Sequence, residues 1–163
     1  MTRRSLKSIL DDQLNEILVS EILILDLLPV IEGQLSNSRL LSAIHDLKKL
    51  MRSQQKSIQK ILNKVKAKFQ KVPSEEFETL LTEIISLAEY SSEPEIVDMY
   101  VAFSFSRLHK FQKTCYGAAG IYASSMGYTD ISYDLQRLID GKESSFNAIA
   151  EIAEELDRRT SKS

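Results

Sequence analysis

Apolar residues recur along this chain at helical spacing in five separate runs, each bounded by residues that start or stop helices. The first run sets Leu10, Leu14, Ile17, Ile24, Leu28 and Ile31 on one face and predicts a helix over 5–35, bent near its end by Pro29. The second has its N-cap in "SNS" at 36–38. It carries Leu40, Ile44, Leu47, Met51, Ile58, Ile61 and Val65, predicting a helix over 37–71 that stops before Pro73. A shorter helix over 74–91 opens with Ser74 and a first turn of acids, then shows Phe77, Leu80, Leu81, Ile84 and Leu87. The fourth, over 94–126, starts at Pro94 and runs through Val97, Val101, Phe105, Leu108, Cys115 and Ala119 to a stop at Gly127. The fifth, over 130–158, carries Leu135, Leu138, Ile149, Ile152 and Leu156.

Two tight connections, at 33–37 and 127–129, make the first and second helices one antiparallel hairpin and the fourth and fifth another. The third helix, rising about 1.5 Å per residue, is long enough to carry the chain back along the bundle, so that the fourth runs parallel to the second. The predicted fold is all-α: a ferritin-like four-helix bundle with one crossover helix, in a single domain over 1–163. Composition agrees, with 43% apolar residues, 5 Gly, 3 Pro and no Trp, too few turn residues for a many-stranded protein.

Each long stripe is broken near its middle by a polar residue. These are Glu21 in the first helix, Gln54 in the second, Gln112 flanked by His109 in the fourth, and Lys142 in the fifth. In an antiparallel bundle the four fall at one level and face the axis, where such bundles build cofactor sites. A pair of iron or manganese ions needs several carboxylates, whereas this layer offers one carboxylate, two amides, an imidazole and an ammonium that has no lone pair while charged. No metal and no cofactor is expected. His109 reads as a structural histidine, and His45 lies off the stripe. Gly-rich phosphate loops, Ser-His-Asp constellations and Cys/His clusters are all lacking, and Asp11/Asp12 and Glu154/Glu155 read as solvated helix ends.

From Lys48 to Lys71 there are nine basic residues and no acid, with Lys48, Arg52, Lys56, Lys60, Lys64 and Lys68 repeating every four positions. Such a stripe suits a nucleic-acid backbone. From Glu75 to Asp98, however, there are eight acids and no base, and the net charge is −2. The crossover helix is expected to neutralise the stripe, leaving nucleic acid an unfavoured partner. Cys115 is the single cysteine and reads as a small buried hydrophobe in a reducing compartment. The opening "MTRRSLKSILDD" lacks a signal-peptide core, and "ILVSEILILDLLPVI" is broken by Glu21, Asp26 and Pro29. A cytoplasmic protein without a membrane span is expected.

In the order of its segments the chain resembles the YciE/YciF family of bacterial ferritin-like proteins. "LKSILDDQLNEILVSEILILDLLPVI" is similar to the family's opening helix, including Glu21 and Pro29; "SNSRLLSAI" resembles its first turn; "CYGAAGIYASSMGYTD" resembles its Tyr-Gly segment and the turn that follows. The resemblance implies a ferritin-like bundle, homodimers, an association with stress responses, and a dimetal centre in members that keep the carboxylates. This chain departs at those carboxylates. His109 and Gln112 stand where the family has two glutamates three apart, "DGKES" with Gly141 and Lys142 replaces an acidic cluster, and "DLKKLMRSQ" replaces an acidic run. Only Glu21 carries over.

The expected function is therefore non-enzymatic: a metal-free, stress-related protein acting through protein interaction, with an internal ion pair between Glu21 and Lys142 where relatives hold metal. One alternative is a metal-dependent oxidase or storage protein using Glu21, His109 and Glu143. The other is a nucleic-acid-associated helical protein using the basic stripe.

Overall fold

Five helices make up the computed structural model, which describes residues 4–161. They are α1 (Leu6–Glu32), α2 (Ser38–Lys64), α3 (Glu75–Tyr90), α4 (Pro94–Ser125) and α5 (Thr129–Thr160), with no strand among the described residues. The single-domain expectation over 1–163, like the reading of the first three residues, reaches beyond that range. Among the described residues no helix is long and apolar enough to cross a membrane.

Three of the helix starts are set by short polar side chains. The side chains of Ser5, Asn37 and Ser74 accept hydrogen bonds from the backbone N–H groups of Ser8, Leu40 and Phe77, satisfying donors that a helix leaves unpaired at its N-terminus. At the end of α4, Gly127 takes φ +85°, which lets Tyr128 N–H bond back to the Ala123 carbonyl at 2.9 Å and Gly127 N–H to the Ser124 carbonyl at 3.0 Å.

The second helix ends at Lys64, short of the expected residue 71. Lys66 adopts φ +53°, a conformation usually given to glycine, and closes the same kind of cap: Ala67 N–H bonds to the Leu62 carbonyl at 2.9 Å. The chain beyond is held by α1 instead of by helical bonds. Asn15 both accepts from Gln70 N–H (2.8 Å) and donates to the Gln70 carbonyl (2.9 Å), and Glu16 accepts from Ser74 N–H at 2.9 Å.

In cross-section α1, α2, α5 and α4 form a ring in which neighbours pack along their lengths. Arg39 at the start of α2 pairs with Glu155 near the end of α5, and Lys64 at the end of α2 pairs with Asp130 at the start of α5, so these two helices run antiparallel. Buried Asp98 ties the α1–α2 turn to the start of α4 by accepting from Ser36 N–H (2.9 Å) and Ser36 Oγ (2.5 Å). The stripes read from the sequence line the core, apart from Leu81, Leu87 and Leu138, which are half-buried; Ile139 takes the inner position instead of Leu138.

The crossover helix α3 packs on the outside of α4 and α1, with the rings of Phe77 and Phe111 5.0 Å apart. This corrects the expected neutralisation of the basic stripe. α2 packs against α1 and α5, not α3, and no ion pair joins α2 to α3 among the described residues. The acids of α3 and the bases of α2 therefore occupy separate parts of the surface. Lys49, Arg52, Lys56 and Lys60 are exposed along α2 and carry no carboxylate partner among the described residues.

Candidate functional site

The bundle centre holds a closed set of polar side chains. Glu21 on α1 and Lys142 on α5 are both fully excluded from solvent, and the lysine ammonium sits directly on Glu21 Oε1. Two further donors reach the same oxygen: Gln112 Nε2 at 3.2 Å and the Tyr116 hydroxyl at 3.0 Å. The Tyr116 oxygen in turn accepts from Lys142 Nζ at 3.0 Å, and the ammonium lies 4.8 Å from the centre of the Tyr116 ring. Gln112 Nε2 also donates to Ser20 Oγ at 3.1 Å.

The sequence builds this set from helical spacing alone. On α5 the inward positions are Leu135, Ile139, Lys142, Phe146 and Ile149, so Lys142 stands in the core register and its stem has no route to water. On α4, Gln112 and Tyr116 are one turn apart on the same face, and both are buried.

Removal from water disfavours the charged amine and lowers the pKa of Lys142, while burial raises that of Tyr116, which stays a neutral phenol able to donate and accept at once. Breaking a buried pair by removing one partner costs about 3–5 kcal/mol, because the surviving charge is stranded in a medium that solvates it poorly.

Of the five residues read as one layer, Glu21, Gln112 and Lys142 join in one bonded set, and the other two take different partners. Gln54 turns toward α5 and donates from Nε2 to the Leu138 carbonyl at 3.1 Å. His109 stacks flat on Phe146, ring centres 4.3 Å apart, with Nε2 facing Glu143 across 3.7 Å. Burial lowers the His109 pKa; Glu143 pulls it up and Lys113 pushes it down. Sequence reasoning missed Tyr116 and Ser20. The signal for Tyr116 was its place four residues after Gln112, on the same stripe as Leu108 and Cys115.

The donor set does not fit the paired metal ions implied by the family resemblance. Glu21 is the only carboxylate of the set, and its Oε1 is taken by three hydrogen donors, with the Lys142 amine lying directly on it. Its other oxygen, Oε2, and Gln112 Oε1 have no partner, but two oxygens beside an ammonium do not make a dimetal site. Glu21, His109 and Glu143 do not gather into one: among the described residues no group of three His, Cys, Asp or Glu side chains is placed to hold a metal ion.

Residues 5–161 match the family model of a domain of unknown function, DUF892. The chain belongs to that family. Among solved structures it is similar to the stress protein YciF of E. coli, with a TM-score of 0.87 and 15% identity over 96% of this chain and 99% of that one. It is also similar to YcfI of Rhodopseudomonas palustris, with a TM-score of 0.82 and 17% identity over 90% of this chain and 93% of that one. No curated protein sequence matches it. The likeness to YciF agrees with the YciE/YciF resemblance read from the sequence, and it establishes the ferritin-like helical fold.

Proposed function

We infer that this protein works without a bound metal and without catalysis, as a ferritin-like bundle that acts through protein interaction, as a cytoplasmic homodimer in a stress-related role. The observation that carries the reading is the Lys142 ammonium on Glu21, which puts an internal cation at the centre of a ferritin-like bundle. Burying a lone carboxylate there would be unfavourable, and the lysine offsets its charge as a metal would. Interaction is supported by Ile121 on α4 and Tyr133 on α5, each 66% exposed, which line one groove together with Gly117 and Gly120. The stress-related role rests on the description of YciF as a stress protein.

The test is elemental analysis of protein purified from culture supplemented with iron, manganese and zinc. Metal far below one ion per chain after dialysis supports the reading, and about two ions per chain, as a dimetal bundle holds, would overturn it. Light scattering of the same sample tests the dimer.

A second reading, a nucleic-acid-associated protein, is favoured by one observation: the basic face of α2 is not covered by α3. The net charge of −2 works against it, since the protein as a whole does not attract polyanions.

A further inference from the structure

Along the contact between α2 and α5 runs a groove of about 420 Å³, away from the central ion pair. Its floor is apolar, with Ile61 on one helix and Ile131 and Leu138 on the other. Lys60 stands on one wall and Arg137 on the opposite one, and neither has a carboxylate partner among the described residues; Lys64, also on the wall, is held by Asp130. Arg137 lies 6.0 Å from the centre of the Tyr133 ring, and Asp134 is the acid within the groove itself.

The second observation is Gln54, which lines the same groove and is only 8% exposed. Its orientation is fixed by the bond from Nε2 to the Leu138 carbonyl, and that leaves Oε1 buried without any donor. A buried acceptor with no partner costs about 1–3 kcal/mol, so a core glutamine is normally satisfied on both atoms. Gly141 secures the arrangement, since a Cβ there would lie 3.1 Å from Gln54 Nε2.

We propose that the α2–α5 groove binds a small hydroxylated phosphate monoester, with the phosphate between Lys60 and Arg137, a short carbon body on Ile61 and Leu138, and a ligand hydroxyl donating to Gln54 Oε1. Two unpaired cations on facing walls suit a dianion, which a phosphate monoester is near neutral pH. The apolar floor needs a carbon body, which inorganic phosphate lacks. The unpaired glutamine oxygen needs a donor, which a hydroxyl supplies; Asp134 and Ser57 are placed to accept from others.

The experiment is an amide NMR titration of the full chain with glycerol 3-phosphate as probe and inorganic phosphate as the comparison. The expected result is saturable shifts confined to residues 50–64 and 131–141, at least about tenfold weaker for inorganic phosphate. Lys60→Ala with Arg137→Ala should weaken binding about tenfold or more, and Gln54→Leu several-fold. Because Gln54→Leu touches the core, Ser57→Phe provides a second arm: position 57 is exposed, and the ring fills the groove without entering the bundle. It should abolish the shifts while leaving the helical circular dichroism unchanged. The proposal is overturned by no saturable shift, by equal response to both anions, or by shifts spread over Lys66, Lys68 and Lys71. Binding of a DNA oligonucleotide that depends on Lys60 yet ignores Gln54→Leu and Ser57→Phe would also overturn it, showing a polyanion surface in place of a pocket.

Discussion

Lys142 on α5 rests its ammonium on the carboxylate of Glu21 on α1, with both side chains fully shielded from water and Tyr116 bridging them. Among the described residues neither group has another ion-pair partner. Lys142→Met alone should therefore destabilise by about 3–5 kcal/mol, and Glu21→Leu alone by a similar amount, whereas the double variant should lie within about 1–2 kcal/mol of the parent. Tyr116→Phe removes one hydroxyl from the set and should cost about 1–3 kcal/mol. Urea unfolding of the four variants checks this, and single-variant losses that simply add in the double variant would show that the two charges do not depend on each other.

His109 is held neutral by burial against Phe146, with a pKa below its usual 6.5. As pH falls through 6.5 the unfolded chain takes up a proton that the folded chain resists, so the unfolded state binds more protons and stability drops with falling pH. The contribution is fully present above pH 6.5 and lessens until the lowered folded value is reached, with a slope of at most about 1.4 kcal/mol per pH unit. His109→Gln should flatten the stability curve in that window relative to the parent. Parallel curves for the two proteins between pH 5 and 7 would remove the histidine from this role.

The basic face of α2 offers four unpaired cations, Lys49, Arg52, Lys56 and Lys60, to a polyanion. If all four neutralise phosphates on duplex DNA, affinity should fall roughly 100-fold between 50 and 200 mM salt. With a net charge of −2 the protein has no long-range attraction to add, so binding should be weak at physiological salt. Fluorescence anisotropy across a salt series decides the matter. Submicromolar affinity at physiological salt, lost in Lys56→Ala with Lys60→Ala, would make nucleic acid the leading partner.

Cys115 is 6% exposed, and burial together with nearby Glu16 and Glu76 pushes its thiol up to about 12. Thiolate is the reactive form, so at pH 8 alkylation of the folded protein by iodoacetamide should be slower than that of the urea-unfolded protein by roughly 1,000-fold. Mass spectrometry of timed samples would reveal the contrary outcome, equal rates in both states.

The helices were legible because their causes are local. Apolar spacing, the caps at Asn37 and Ser74, Pro94 at a helix start and Gly127 at a helix end act within a few residues of where they are written. The heights of Glu21, Gln112 and Lys142 followed too, because rise per residue converts sequence position into level in an antiparallel bundle. The early end of α2 did not follow: its cap falls on Lys66 instead of a glycine, and the segment after it is held by Asn15 and Glu16 of a different helix.

Only the tertiary structure decided which faces meet. It set α3 against α4 and α1, away from the bases of α2; it turned Gln54 and His109 out of the central set; and it drew Tyr116 and Ser20 in. A stripe read from the sequence states that a side chain is buried. Its partner depends on the packing of helices distant in the chain, where a rotation of a few tens of degrees exchanges one neighbour for another without changing the period.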